Sequence, residues 1–227
     1  MTKLINLLAV AAFAGFVSLP VAAHADSFDA PNVGHQGLFL NMDIGLTSGK
    51  YSVDSDDTSG SIDLKGNGAE LDFRIGGFIT PHLALTGDIS ANAISDPDCD
   101  AEGMNCDASG SSVSTALIGP GLTYYFDNNL FIGVTLGSGK LSYDVDNASI
   151  DSDRGFGYQL RIGHEWQVND DWGLGIVGGV THVSADINLT VPTISYGSYG
   201  LPYYGTTEVS ASATSTSFFV AFTASFN

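Results

Sequence analysis

His182 and Ser184 are the residues with the clearest catalytic chemistry, and they lie two positions apart in a stretch of alternating sequence. Alternate residues of a β-strand project from the same face, so this spacing brings an imidazole and a hydroxyl onto one surface. A serine nucleophile also needs a third group that orients its histidine base. Glu208 is the only glutamate downstream of the pair, and it falls well away in the sequence. We therefore predict no catalytic residues and interpret the pair as part of the rim of the fold.

Acidic residues form a second group with chemical potential, because clustered carboxylates bind Ca²⁺ or Mg²⁺. Asp96, Asp98 and Asp100 have the spacing with which an EF-hand loop begins, but Ala101 replaces the turn glycine and Asp107 the closing glutamate. We expect a solvated acidic surface with no cofactor, and keep these three aspartates as weak candidates for binding divalent cations. The other acids of this surface are Asp54, Asp56, Asp57, Asp63, Glu102, Asp144, Asp146, Asp151 and Asp153.

The two cysteines, Cys99 and Cys106, are the only ones in the chain and lie in the same acidic stretch. The N-terminus has the features of a secretory signal peptide: Lys3, an apolar stretch over residues 4–17, and a small-residue cleavage site at residues 23–25. Export places the cysteines in an oxidising compartment, where we expect a loop-closing disulfide. The domain prediction is a signal peptide over 1–25, a periplasmic segment over 26–37 and one domain over 38–227.

The overall charge excludes one class of partner. The chain has 25 acidic and 7 basic residues in 227, a formal net charge of −18. A nucleic-acid binder needs a basic surface that displaces counterions from phosphate, so we expect no nucleic-acid partner.

From residue 38 onward, apolar residues recur at every second position, which is the period of β-strands. Eight such segments follow one another, and in each the polar face is small, glycine-rich and sparsely charged while the other face is aliphatic. A soluble barrel would carry a varied charged surface on the outside, whereas lipid demands apolar residues outside and polar residues inside. The pattern predicts an all-β fold, an eight-stranded antiparallel transmembrane β-barrel.

The connections between the segments alternate in length. Short ones cover 80–82, 127–129 and 169–171, and long ones cover roughly 52–67, 92–112, 143–155 and 185–211. Short periplasmic turns and long extracellular loops are typical of outer-membrane barrels. The aromatics near the short turns are predicted to form an interfacial girdle: Phe78, Tyr124, Tyr125, Phe126, Trp166 and Trp172. The last long loop carries Tyr196, Tyr199, Tyr203 and Tyr204, suited either to recognition or to an outer girdle.

Seven charged residues fall on the inward face of these strands: Asp43, Glu70, Asp72, Arg74, Asp88, Arg161 and Glu165. The interior of an eight-stranded barrel is just wide enough for side chains to fill it. Because an unpaired buried charge is costly, we expect the arginines to bind the carboxylates and close the interior as a salt-bridged plug. A narrow ion path is the alternative, since the acids outnumber the two arginines.

Three stretches carry a resemblance to a known family: Gly-Pro-Gly-Leu-Thr-Tyr-Tyr-Phe at 119–126, Arg-Ile-Gly-Gly-Phe at 74–78, and the aromatic C-terminal strand. Together they resemble the small eight-stranded outer-membrane β-barrels, which include OmpA-like and OmpW-like proteins. The resemblance implies insertion by the barrel-assembly machinery into the cell outer membrane. The His182-x-Ser184 pair separately resembles the motif of outer-membrane lipid A deacylases, although Ala185 stands where those enzymes have asparagine.

Three functions remain in view. We expect a non-enzymatic, monomeric outer-membrane protein whose barrel anchors acidic surface loops for structural or binding roles. The alternative is a small porin-type channel for ions or small solutes, and the third reading is a lipid A-modifying enzyme. Outer-membrane lipids and lipopolysaccharide are the expected partners of the barrel wall.

Overall fold

Eleven β-strands make up the regular structure of the computed structural model, which describes residues 37–55, 61–101, 104–145, 148–196 and 202–226. Eight strands are long: β1 (Leu38–Ser55), β2 (Ser61–Thr80), β3 (Leu83–Ser95), β6 (Ser111–Tyr125), β7 (Leu130–Val145), β9 (Gly155–Gln167), β10 (Trp172–Tyr196) and β11 (Pro202–Phe226). Three are short: β4 (Asp98–Ala101), β5 (Met104–Cys106) and β8 (Ala148–Asp151). No helix among the described residues has the length and apolarity to cross a membrane.

The eight long strands close on themselves. Each pairs antiparallel with the next, and β1 pairs with both β2 and β11, so that Ile44 lies between Leu71 and Phe222. Closure satisfies the backbone hydrogen bonds that an open sheet edge would leave exposed to lipid. The predicted eight-stranded antiparallel barrel is confirmed.

Alternation along each strand separates the two surfaces of the barrel. The most exposed large apolar side chains face outward, with Leu46 at 75% and Phe222 at 72% exposure. The residues between them are buried inside, where Asp43 and Arg74 are each 0% exposed. The outer surface therefore resembles the core of a soluble protein and the interior resembles its surface, which is the arrangement that lipid requires.

The predicted long loops are wrong in their bounds, because strands occupy most of them. Strands β1 and β2 extend into the predicted loop 52–67 and leave only the connection between Ser55 and Ser61. Most of the predicted loop 185–211 belongs to the paired strands β10 and β11. Serine, aspartate and glycine recur in these stretches, and these residues favour turns and loops. Pairing with a neighbouring strand nevertheless continues through them.

The second and third extracellular connections also contain strands. In the second, β4 pairs with β2, and β4 and β5 form a hairpin closed by a disulfide between Cys99 and Cys106. In the third, β8 folds back on β7. Residues 1–36, where the signal peptide and the periplasmic segment are predicted, lie outside the described residues.

The predicted aromatic girdle is correct only in part. Tyr124, Phe126 and Trp166 face outward with exposures between 41% and 48%. Tyr125 instead points inward at 1% exposure, and the Phe78 ring lies 5.9 Å from it, centroid to centroid. The run of three aromatics at 124–126 must alternate with the strand, so its middle member cannot share the outer face.

The face assignment predicts a depth-dependent cost for charge on the outer surface. Ile75→Arg places a charge on the apolar band and should destabilise the barrel by about 2–4 kcal/mol, whereas Ser52→Arg lies above the band on the same outer surface and should cost about 0–1 kcal/mol. Urea unfolding of both variants in lipid vesicles measures the difference. Equal unfolding free energies would contradict the assigned position of the membrane.

Candidate functional site

The barrel interior has three layers, and the lowest, next to the short turns, is apolar. Aromatic rings from β1, β2, β6, β7 and β11 fill it. The ring centroids of Phe39 and Tyr125 are 6.3 Å apart, and those of Tyr125 and Phe131 are 5.4 Å apart. We call these residues the lower apolar layer: Phe39, Phe78, Ala84, Tyr125, Phe131, Val177, Phe219 and Ala221.

The middle layer is charged and holds the seven predicted residues. All seven are at most 4% exposed. Arg74 forms an ion pair with Asp43, and Arg161 donates from Nη2 to Asp88 Oδ2 at 2.6 Å. Asp88 also accepts a hydrogen bond from Thr135. The structure thus brings each arginine onto one carboxylate from a different strand.

Gln159 connects the rest of the middle layer, and it was not among the residues predicted from the sequence. Its Oε1 accepts a 2.7 Å hydrogen bond from Arg161, and its Nε2 lies 3.0 Å from Asp72 Oδ2 and 3.3 Å from Glu70 Oε1. One amide therefore joins an arginine to two carboxyl groups. An inward-facing glutamine two positions from an inward arginine was the available signal.

Glu165 lies at the boundary between the middle layer and the lower apolar layer. Its two oxygens accept hydrogen bonds from Tyr125 at 3.1 Å and from Ser225 at 2.8 Å. Tyr125 therefore contributes its ring to the apolar layer and its hydroxyl to the charged layer.

The upper layer is apolar again and lies toward the extracellular side. We call these residues the upper apolar layer: Tyr51, Leu64, Ile94, Ala108, Val113, Leu141, Val183, Ala185 and Ala213. The Tyr51 hydroxyl donates to Asn92 Oδ1 at 2.7 Å and so links this layer to the polar residues below. Neither apolar layer was predicted from the sequence, although their members sit at inward positions, because polar and small residues are more numerous on that face.

Two glycines make room for the Asp88–Arg161 ion pair. A methyl group on Gly121 would overlap the Asp88 carboxylate, and one on Gly133 would come within 2.6 Å of Arg161 Nε. Inward glycines are thus part of the charged layer, because the lumen is too narrow for a side chain at every position.

The acidic extracellular surface carries two lysine pairs. Lys50 lies 2.9 Å from Asp63, and its hydrogen bond holds the pKa of Asp63 below the usual value. Lys140 lies 2.8 Å from Asp151 and lowers the pKa of that carboxyl in the same way. Both pairs are solvent-exposed, so each contributes little stability.

The weak cation candidates do not form a cluster. Asp96 Oδ1 accepts a 2.7 Å hydrogen bond from the Gly110 amide, while Asp98 and Asp100 lie in β4 opposite Lys65 and Asp63. Within the part of the chain that the structure describes, no group of three or more His, Cys, Asp or Glu side chains is arranged to hold a metal ion. Asp56, Asp57, Glu102 and Asp146 fall outside the described residues.

His182 and Ser184 share the outer face of β10, since Val183 between them is 0% exposed. His182 Nδ1 lies 2.8 Å from Thr216 Oγ1, and its ring is 5.3 Å from that of Tyr158. Thr216 is thus the hydrogen-bonding partner of this imidazole. Of the loop tyrosines, Tyr196 lies in β10 and Tyr203 and Tyr204 in β11, while Tyr199 is outside the described residues.

Comparison with known proteins agrees with this architecture. The profile of the family described as "Outer membrane protein beta-barrel domain" matches residues 9–214, which is most of the chain. The chain belongs to this family. The protein is therefore located in the cell outer membrane. No curated protein sequence matches the chain.

Several solved structures of outer membrane proteins are similar to this chain. OprG from Pseudomonas aeruginosa superposes with a TM-score of 0.55 at 10% identity, over 86% of this chain and 98% of that one. Neisserial surface protein A gives 0.46 at 15% identity, over 80% and 97%. The outer membrane protease OmpT from Escherichia coli gives 0.44 at 12% identity, over 88% and 99%. At these identities the likeness shows the fold of this outer membrane barrel alone.

The glycine that accommodates the ion pair provides a test of interior packing. Gly121→Ala forces a methyl group against Asp88 and should lower the unfolding free energy of this outer membrane barrel by about 1–3 kcal/mol. Gly87→Ala is the control, because the nearest atom to its added methyl group is 4.0 Å away, at ordinary contact distance. Chemical unfolding in vesicles measures both. A loss for Gly87→Ala as large as that for Gly121→Ala would show that the charged layer is not the constraint.

Proposed function

We propose that this protein is a closed, non-enzymatic anchor in the outer membrane that displays an acidic surface on the extracellular side. The observation that carries the proposal is the sealing of the charged middle layer between two apolar layers. An ion would have to cross both apolar layers as well as the two arginine–carboxylate pairs. Buried charge is tolerated in this arrangement because it is paired, and not because water reaches it.

The displayed surface is supported by the length of the strands above the membrane. β10 and β11 have 25 residues each. At roughly 3.3 Å per residue each extends about 80 Å along its axis, whereas the apolar band of an outer-membrane barrel is about 25 Å tall. Strand tilt shortens the vertical reach, yet the β10–β11 hairpin still projects well beyond the lipid. A continuous ladder from β1 and β11 supports its base.

The charge of this surface indicates the kind of partner. Exposed or half-buried aspartates of the extracellular part include Asp54, Asp98, Asp144, Asp153 and Asp186, against Lys50, Lys65, Lys140 and Arg154. The excess of carboxylates favours cationic partners, including the divalent cations associated with lipopolysaccharide phosphates. It disfavours direct contact with the phosphates themselves, since like charges repel.

A channel is the second candidate, and one observation favours it. The middle layer has five carboxyl groups against two guanidinium groups, which would select cations if the apolar layers opened.

Conductance distinguishes the anchor from the channel. The barrel in planar bilayers should give no steady current, since the apolar layers exclude water. Protease resistance of the strands in the same membranes would verify insertion. A steady cation-selective current would overturn the closed anchor and favour the channel.

Binding of a polycation tests the displayed surface. Whole cells carrying the protein should bind polylysine at low salt, and a variant with Asp98→Asn, Asp144→Asn and Asp186→Asn should bind several-fold less. The control removes the same charge from the short turns, with Asp127→Asn, Asp170→Asn and Asp171→Asn. Equal losses in both variants, or none in either, would contradict the proposed extracellular surface.

A further inference from the structure

Charge balance in the middle layer leaves carboxyl groups without a cation. The layer contains Asp43, Glu70, Asp72, Asp88 and Glu165, and the cations among the described interior residues are Arg74 and Arg161. Arg74 compensates Asp43, and Arg161 compensates Asp88. Glu165 has two hydroxyl donors, one on each oxygen. Glu70 and Asp72 remain, and each is 1% exposed.

The hydrogen bonds available to Glu70 and Asp72 are too few for two ionised groups. Gln159 Nε2 lies within 3.3 Å of four oxygens, from Glu70, Asp72, Ser90 and Thr181. An amide nitrogen has two hydrogens, so it cannot donate to all four. The Ser90 hydroxyl supplies one further donor to Glu70 at 3.3 Å. Glu70 Oε2 and Asp72 Oδ1 are buried oxygens without a hydrogen-bond partner.

The two carboxyl groups also converge on a single atom, since Gln159 Nε2 lies 3.3 Å from Glu70 Oε1 and 3.0 Å from Asp72 Oδ2. They sit two residues apart on β2 and project from the same face, so the strand itself holds them together. Two carboxylates placed in this way cannot both be ionised, because like charges at this distance repel and neither is solvated. A proton between them converts the repulsion into a hydrogen bond from a carboxylic acid to a carboxylate.

We propose that Glu70 and Asp72 form a proton-binding site that holds one proton at neutral pH. The proton comes from water and resides on a Glu70 carboxyl oxygen, which then donates to Asp72; Asp72 has the shorter contact with the Gln159 amide. At higher pH hydroxide removes it, and two negative charges are left in the sealed layer. The site is a property of the interior and does not depend on what the extracellular surface binds.

The neighbouring charged groups set the conditions for this site. Those that face it are Asp43 and Tyr51 on β1, Arg74 on β2, Asp88 on β3 and Arg161 on β9. The described inward residues of β6, β7, β10 and β11 at this level carry no charge. Both arginines already form an ion pair with another carboxylate, and among the described contacts neither makes a hydrogen bond to Glu70 or Asp72. In the unfolded chain both acids are ionised above about pH 5. The folded state therefore binds more protons, and stability falls as the pH rises through the titration of the pair.

The first test observes the proton in the unaltered protein. The chain has four glutamates, Glu70, Glu102, Glu165 and Glu208. Carboxyl-¹³C labelling of glutamate therefore gives few NMR signals, and the spectrum of Glu70→Gln assigns the one from Glu70. We expect that signal to have the position of a carboxylic acid at pH 7. A Glu70 carbon with the shift of an ionised group and no change from pH 6 to pH 10 would overturn the proposal.

The second test uses isosteric amides and stability. Glu70→Gln imitates a protonated acid, so the urea midpoint at pH 7 should stay the same or rise, and its fall between pH 7 and pH 10 should shrink. Asp88→Asn removes an ionised partner of Arg161 and should lower the midpoint or the folding yield. A loss for Glu70→Gln as large as that for Asp88→Asn would show that Glu70 is ionised.

A metal ion is the other cation that the pair could take. Both measurements are therefore repeated with sodium replaced by choline. An ionised Glu70 signal whose position depends on sodium would overturn the proton site in favour of a sodium ion. An unchanged signal in choline supports the proton.

Discussion

Backbone hydrogen bonding in lipid is the constraint on which the rest of the structure depends. With no water to satisfy a free strand edge, the ladder must close, and β1 therefore pairs with both β2 and β11. Closure with eight strands fixes a narrow interior, and lipid takes one face of every strand. The charged side chains of the membrane-spanning segments are thereby forced into one small volume, where Arg74 and Arg161 must meet the carboxylates of other strands. The ion pairs follow from the closed ladder.

This dependence explains what could be predicted from the sequence. A strand in contact with lipid alternates apolar residues that face out with polar residues that face in. The inward position of Asp43 and the outward position of Ile75 could therefore be predicted from this alternation alone. Short turns identified the strand order. The same logic failed above the membrane, where residues 185–196 and 202–211 lack a regular apolar alternation in the sequence and yet form strands. Tyr125 shows a further limit, because aromatic composition near a turn indicated a girdle while the strand phase placed the ring inside.

The contacts within the interior were harder to predict, because they depend on barrel diameter and stagger. Gln159 acquires its importance only when β9 is brought opposite Glu70 and Asp72 of β2 across the lumen. The role of Gly121 likewise requires knowing that β3 lies beside β6 and aims Asp88 at it. The alternation along a strand tells which face a residue occupies. Its partner across the lumen depends on the register of every strand between them.

The same residue type has opposite consequences in the two parts of the molecule. Aspartates such as Asp98 and Asp186 lie in water, where screening makes a large net negative charge tolerable. In the middle layer no such screening exists, because the lower and upper apolar layers separate Glu70 and Asp72 from solvent. An excess of carboxylates on the extracellular surface determines which partners the surface attracts. An excess of carboxylates in the middle layer must be compensated by groups within that layer. Arginine compensates two carboxylates and hydroxyl donors satisfy a third, so the remaining pair requires a cation small enough to fit between two carboxyl groups, and a proton meets that requirement with the least disturbance of the packed lumen.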